Sequence, residues 1–474
     1  MTTLRVFNNH IKIYFVFIAI AESLAFFTAV LAAASVRFQS LEFSAAEGFG
    51  GNVDNLLPKA LLFTAINMLG MTALGLYQVE QFRGKTSYSH ILARVIVSLA
   101  LVFIALMVIY YLVPFFALGR GVTALAFLLS LILIVAIRRL FFLYMAADLS
   151  TTKVLVFGVS RNAASLLVKD EGDLPTSSYR IVGFISTPEQ NRFVPEDDIL
   201  ELEDSSLKMC IEHEVNEIVI ALDDRNENYP VQHILDCKLA GINIIDPISF
   251  LEREQGKVNL SHLNPSWMVF SDGFRGSRIK SAVSRGFDVV SSLMILIITS
   301  PVLLVVAFLI AAEGGFREPV LYRQRRVGKN GLEFDLLKFR SMRVDAEQNG
   351  AQWAGENDAR VTRVGRFLSK LRIDELPQIV NILKGDMRLV GPRPERPEFV
   401  EKLSQTIDYY QQRHSVKPGL AGWAQLKYPY GASEKDAYEK LQYDLYYIKN
   451  ANPVMDFFIL LQTLEIVIFG KGVR

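Results

Sequence analysis

The chain has 474 residues, 51% of them apolar and 21% charged, with a mean hydropathy of +0.26 and a net charge of +1. That length calls for roughly three modules, and the mixture for a membrane portion joined to a charged soluble portion. Two cysteines, Cys210 and Cys237, exclude a disulfide framework and suit a reducing compartment. Six scattered histidines, with no His-x-x-x-His or Cys-x-x-Cys pair, argue against a zinc site. The total charge says little because the bases are unevenly spread, and no nucleic-acid partner is expected.

Four apolar stretches, about Ile13–Val36, Leu56–Tyr77, Ile91–Phe116 and Val122–Met145, are long enough to cross a bilayer, giving a membrane domain over 1–148. The first is read as a retained anchor rather than a cleaved signal. Its core is long, Glu22 interrupts it, and three further spans follow. Glu22 is expected to face neighbouring helices. Arg5, Lys12, Arg83, Lys85, Arg138 and Arg139 fall on one side, against Arg37, Lys59 and Arg120 on the other. The first side is therefore expected to be cytoplasmic, with everything after the fourth span.

Residues 149–270 read as a small Rossmann-like α/β domain. Lys153–Phe157, Arg180–Ile185, Glu217–Leu222 and Asn243–Ile245 are expected strands, with Asn162–Lys169, Ser205–His213 and Val231–Ala240 as helices. The turn Gly158-Val159-Ser160-Arg161-Asn162-Ala163 is similar to a dinucleotide fingerprint, but Ser160 stands where a glycine would admit a pyrophosphate. A βα turn without bound cofactor is the expectation.

Residues 271–312 form a linker and a second apolar run, Val289–Ala312, interrupted by Ser300-Pro301. Both flanks are basic: Arg275, Arg278, Lys280 and Arg285 before, Arg317, Arg323, Arg325 and Arg326 after. A central proline with both ends on one side describes a re-entrant helical hairpin.

Residues 313–474 carry the chemistry, in a mainly α domain expected at the membrane interface. An alternating strand, Phe334–Phe339, delivers Lys338, followed by Arg340 and Arg343, and arginine forks match phosphate oxygens. Adjacent carboxylates Asp374 and Glu375 lie among Arg360, Arg363, Arg366, Lys370, Lys384, Arg388, Arg393 and Arg396. Such surroundings predict that both acids have depressed pKa values. Prolines on both sides of Arg393 stiffen its backbone, as suits a phosphate ligand. The apolar Pro453–Phe469 segment is left between lying in the interface and packing on the catalytic domain.

In order, these segments resemble the bacterial sugar transferases, the monotopic phosphoglycosyl transferases. The resemblance rests on the Arg285–Asp288 start of the Ser300-Pro301 hairpin, Lys338–Met342, Asp374-Glu375-Leu376-Pro377-Gln378, Gly391–Pro394 and Lys417–Gln425, and it spans 275–474. The preceding spans and sheet domain look like the polyprenyl-phosphate hexose-1-phosphate transferases, and the Tyr428–Lys449 stretch like members acting in exopolysaccharide biosynthesis. The resemblance implies transfer of a sugar-1-phosphate from a nucleoside diphosphate sugar, with uridine as the expected carrier, to undecaprenyl phosphate. It implies Asp374 as covalent nucleophile, Glu375 as the Mg²⁺-associated carboxylate, and Lys338, Arg340 and Arg393 as phosphate contacts. Arg343, Arg372, Arg413, Gly422 and Gln425 are further candidates for substrate contact. A bacterial inner-membrane location with a cytoplasmic catalytic domain, contact with membrane lipids, and a homodimer are also suggested. One departure stands out: many members place a basic residue before Lys370, where this chain has Ser369.

Two other classes fit the sequence less well. A nucleotide-sugar dehydratase or epimerase requires a complete glycine fingerprint and a Tyr-x-x-x-Lys pair, which do not occur here. A non-enzymatic membrane scaffold gives no reason for the ordered basic motifs.

Overall fold

The computed structural model describes residues 3–6, 9–38, 56–77, 88–144, 152–167, 179–186, 193–200, 206–222, 231–262, 274, 278–346, 359–428, 431 and 433–469. The boundaries expected near 148 and 270, and the bases Arg83, Lys85 and Arg275, lie outside the described residues. The chain forms two compact units, Met1–Phe250 and Leu251–Arg474.

In the first unit a short antiparallel pair, β1 (Thr3–Val6) and β2 (Asn9–Lys12), precedes four helices. These are α1 (Ile13–Phe38), α2 (Leu56–Ala73), α3 (Tyr88–Leu112) and α4 (Arg120–Tyr144). All four are long and apolar enough to cross a membrane. Phe26, Phe63, Leu106 and Ile134 fill their common interior. Glu22 is fully buried there, as expected, but its partner is Arg138, counted above among the loop bases. Arg138 donates to Glu22 from Nε at 2.7 Å and from Nη2 at 3.1 Å, and Tyr77 adds a hydroxyl hydrogen bond. A carboxylate taken out of water needs such a partner, and that need draws Arg138 into the bundle.

The same unit holds the parallel sheet. It runs β3 (Thr152–Phe157), α5 (Arg161–Ala164), β4 (Tyr179–Ile185), β5 (Ile199–Leu200), α6 (Ser206–Glu212), β6 (Glu217–Ile220), α7 (Val231–Leu239) and β7 (Asn243–Ile245). The strand order is β5-β4-β3-β6-β7, every pair parallel. The four expected strands form within two residues of their predicted ends; β5 is too short to show a period. Helix α5 is shorter than predicted, giving way after Ala164 to three-residue turns at Leu166 and Leu167. Cys210 and Cys237 are unbonded and buried, their sulfurs 4.0 Å apart.

Helix α8 (Pro247–Gln255) carries the chain into the second unit. Residues 251–260, grouped above with the sheet domain, pack here instead. Val258 and Leu260 bury in one core with Ile382, Met387 and Leu445, and Glu252 pairs with Lys449 at 2.6 Å. The two apolar side chains have this core to fill, and their burial sets the boundary.

Helix α9 (Arg278–Glu313) runs through Pro301, with Ile297, Ile298 and Leu304 exposed around it. It is the fifth helix long and apolar enough to cross a membrane. Pro301 has no N–H to give the carbonyl of Ile297, and the Ser300 hydroxyl donates to that oxygen instead, at 2.8 Å. Both flanks are held by the same unit: Asp288 bonds Arg388 and Leu389, and Ile310 buries with Phe339 and Leu368.

The antiparallel pair β8 (Leu321–Val327) and β9 (Glu333–Phe339) follows, then α10 (Arg363–Lys370), α11 (Gln378–Lys384), β10 (Arg388–Val390) and α12 (Pro397–Thr406). Strand β11 (Gly419–Ala421) lies parallel to β10, and α13 (Trp423–Lys427), α14 (Glu434–Asn450) and α15 (Pro453–Phe469) complete the unit. Helix α15 packs on this core: Met455 and Ile459 are buried, and Asp456 accepts from Arg388 at 2.8 Å.

Candidate active site

The acid pair lies in a 3-10 turn, Ile373–Glu375, between α10 and α11. Helix α10 is fixed at its start by the Thr362 hydroxyl, which accepts from Gly365 N–H, and by Glu313, which accepts from the N–H groups of Arg363 and Val364. At its end Arg372 adopts a left-handed conformation, φ 55°. That uncommon backbone for a long side chain turns the chain sharply and aims the two acids inward, where both are buried.

Strand β9 brings Lys338 to the same place. Its register is held by Asn381 on α11, which accepts from Leu337 N–H at 3.0 Å and donates to Asp335 O at 2.8 Å. Helix and strand therefore lock together one residue away from Lys338. The opposing segment, Gly391-Pro392-Arg393, follows β10, where the missing side chains of Gly391 and Gly419 let the two backbones touch.

Three cations converge on Glu375 Oε1: Arg393 Nη2 at 2.7 Å, Lys338 Nζ at 3.7 Å and Arg372 at 3.8 Å. Burial pushes the Glu375 carboxyl upward, yet Arg393 and Lys338 outweigh it and hold the group well below the usual range. Asp374 departs from the expectation of two depressed acids. Burial and the neighbouring Glu375 raise its pKa, and Lys338 and Arg393 only partly offset them. Desolvation is felt by both acids, but the close ion pairs form on Glu375. Lys338 is itself lowered by burial, against the pull of Glu375. Ser369, at the position of the departure noted above, donates to Asp374 Oδ2 at 3.4 Å, so the residue there touches the expected nucleophile.

The other candidates are spread more widely. Arg340 is buried and directed at the end of α9, paired with Glu318 at 2.8 Å and donating to Ile310 O. Arg343 pairs with Asp345 at the surface. Arg285 donates to the last carbonyls of α11, Ile382 and Leu383, at 2.5 and 2.7 Å, and Asp288 holds Arg388. Arg413 is buried against Asp444. The Gln425 side-chain oxygen is buried without a hydrogen-bond partner among the described residues. Of the bases flanking the pair in sequence, Arg363, Arg366, Lys370 and Lys384 are exposed, and Arg388 serves Asp288 and Asp456. Asn381 and Asp444 were not singled out from sequence; the only signal was a polar residue on an apolar helix face.

Among the described residues no group of three or more His, Cys, Asp or Glu is arranged to hold a metal ion. Mg²⁺ commonly takes only one or two carboxylates and completes its shell with substrate phosphates and water. A single carboxylate such as Glu375, buried beside Asp374, fits that mode.

Residues 279–470 match the family model described as bacterial sugar transferase, and residues 72–244 match one described as a CoA-binding domain. The chain is 41% identical over 238 residues to the UDP-N-acetylgalactosamine-undecaprenyl-phosphate N-acetylgalactosaminephosphotransferase of Aeromonas hydrophila, covering 50% of this chain and 55% of that protein. It is 49% identical over 132 residues to a Bacillus subtilis protein whose name gives it a provisional undecaprenyl-phosphate N-acetylgalactosaminyl 1-phosphate transferase activity, covering 28% of this chain and 73% of that one. Identity to the UDP-glucose:undecaprenyl-phosphate glucose-1-phosphate transferase of Escherichia coli is 39% over 192 residues, 40% of each chain. The match thus spans about half the length of the Aeromonas protein and less of the Escherichia coli one.

Proposed function

Since the chain belongs to the bacterial sugar transferase family, we propose that it moves a sugar-1-phosphate from a nucleoside diphosphate sugar to undecaprenyl phosphate through a covalent intermediate on Asp374. The observation that carries this reading is the division of labour between the two acids. Glu375 is charge-matched by three cations, whereas Asp374 keeps a raised pKa because burial and Glu375 outweigh the more distant Lys338 and Arg393 and its own hydrogen bonds. A carboxylate destabilised by burial is the more nucleophilic of the two.

In the proposed reaction an Asp374 oxygen bonds to the β-phosphorus as the bond to the bridging oxygen breaks, and the nucleoside monophosphate leaves. An oxygen of undecaprenyl phosphate then attacks the same phosphorus and releases Asp374 as a carboxylate. Arg393, with its side chain about one-third exposed (37%), meets the diphosphate, and Lys338 steadies Glu375 behind it. Mg²⁺, when bound, would be held by Glu375 and the diphosphate, and would supply neutralisation of phosphate charge.

Helix α9 is read as a re-entrant hairpin bent at Ser300-Pro301, with both ends cytoplasmic. Support comes from the grip of one unit on both flanks and from the exposed apolar middle. That arrangement brings the acids to headgroup depth, where a polyprenyl phosphate lies. The relatives' names support the uridine-linked donors and the lipid acceptor.

Membranes containing the protein, incubated with undecaprenyl phosphate, Mg²⁺ and a panel of UDP-sugars, should release UMP with at least one sugar. Release that persists after Asp374→Asn would overturn the covalent reading. A cysteine introduced just after Ala312 should resist labelling from outside; labelling there would overturn the hairpin.

A further inference from the structure

The segment carrying Arg393 has an unusual hydrogen-bond inventory. Pro392 and Pro394 have no N–H to donate, so the carbonyls must hold the backbone, and four in succession are taken. Pro392 O accepts from Gly419 N–H at 3.0 Å, and Glu395 O from Val327 N–H at 2.9 Å. Between them Arg393 O accepts from Arg413 Nη2 at 3.0 Å, and Pro394 O from Arg326 Nη1 at 2.9 Å. Two guanidinium groups in this basic domain are therefore directed at main chain.

Each of these arginines is anchored behind. Arg413 is buried and donates through Nε and Nη2 to Asp444 Oδ2, at 3.1 and 2.7 Å, and through Nη1 to the Tyr410 hydroxyl at 2.9 Å. Asp444 is 1% exposed. Arg326 donates through Nε and Nη2 to Gln324 Oε1, at 3.1 and 2.6 Å. An arginine fork gripped on one edge presents its remaining N–H in a fixed direction.

We propose that Asp444, Arg413 and Arg326 are positioning residues that act through the Pro392–Glu395 backbone to aim Arg393 at Glu375 and at the donor's diphosphate. This rests on the transfer reading above. Among the ion pairs of Glu375 that with Arg393 is the shortest, at 2.7 Å, and Arg393 is partly open to solvent. Its direction is set by the backbone beneath it, and small misplacements of a phosphate clamp are costly in rate. Arg413 then serves the reaction from behind Arg393 and meets no substrate.

The test measures nucleotide release by the full-length protein in membranes with undecaprenyl phosphate, Mg²⁺ and the accepted UDP-sugar. Arg413→Lys keeps the charge facing Asp444 but loses the forked geometry, and Asp444→Asn releases the fork. Each is expected to lower kcat on the order of ten- to a hundredfold. On an Arg393→Lys background the same changes should cost less than twofold, because the group they aim has already been altered. Equal losses on both backgrounds would mean a plain core ion pair and would overturn the proposal, as would no loss at all. If Asp444→Asn does not accumulate, Arg413→Lys and Arg326→Lys carry the same comparison. Asp374→Asn separates the two levels. Release that survives it sinks the reaction, whereas release abolished by it but untouched by Arg413→Lys and Asp444→Asn sinks only the positioning role.

Discussion

Two places in this chain suggest phosphate in sequence, the Gly158–Ala163 turn of the sheet and the acid pair with its arginines, and the structure treats them oppositely. At the turn, the Ser160 hydroxyl accepts from Asn162 N–H at 3.1 Å and Ala163 N–H at 3.4 Å, and donates to Ala221 O at 2.6 Å. Gly158, at φ 114°, lies against that same Ala221 carbonyl. The N–H groups that would greet an anion are occupied by the protein's own oxygen. At the acid pair three cations crowd one carboxylate oxygen, while the adjacent carboxylate is buried with its pKa raised. Hydrogen bonds within the protein fill the first, whereas buried charge with a raised Asp374 pKa is what supports the proposed chemistry at the second.

The largest effect that could break this contrast is on the reaction itself. Asp374→Asn removes the proposed nucleophile and should lower nucleotide release by at least about a thousandfold, with no phosphosugar adduct detectable by mass spectrometry. A residual rate within tenfold of the parent would erase the distinction between the sites. Next in size is Arg393→Ala, which strips the closest cation from Glu375 and from the expected phosphate position. Removal of one such preorganised donor typically costs about a hundred- to a thousandfold in kcat, and steady-state kinetics on the accepted sugar would show it.

The contrast also shows which information sequence carries. Alternating strands and apolar periods made the sheet, the long helices and β9 legible, because those follow from periodicity alone. That the two adjacent acids sit among bases was legible as well. Its electrostatics were not: both acids were expected to be depressed, yet Asp374 is raised because burial depends on how Arg372 turns the chain. Partner choice is equally hidden. Arg326 reads as a basic flank of the apolar run and Arg413 as a substrate contact until their carbonyl acceptors are seen, and Arg138 reads as a loop cation until Glu22 is found beside it. Val258 and Leu260 fall before the matched family region, so only their burial reveals that they complete the catalytic core.

Opposite pKa shifts within the pair give a third test, smaller in size and sharper in sign. For Glu375 the folded value is depressed, so its stabilising contribution is present above the unfolded pKa and lost as pH falls through the folded one. For Asp374 the folded value is raised. Its contribution is present below the unfolded pKa and lost as pH rises through the folded one. At neutral pH Glu375→Gln should therefore lower the thermal unfolding midpoint, and Asp374→Asn should raise it. The acid limb of kcat/KM should also lie above the ordinary aspartate range, since attack needs Asp374 ionised. Unfolding midpoints that move in the same direction would contradict the assigned division.

The smallest effect belongs to the turn that looked like a cofactor site. Ser160→Gly restores the glycine of the fingerprint and removes a helix cap, a change that usually costs only a few tenths of a kcal/mol. Removing the hydroxyl frees the Asn162 and Ala163 N–H groups, but helix α5 is a four-residue turn with little dipole to offer an anion. Transferase turnover should stay within about twofold of the parent, and added dinucleotide should not raise the unfolding midpoint. A larger change in turnover would mean that the sheet domain reports to the reaction through this turn. Dinucleotide stabilisation of the variant, absent in the parent, would show that Ser160 alone keeps a phosphate out. Either outcome would move the turn from structure to function, and so would remove the contrast with the acid pair.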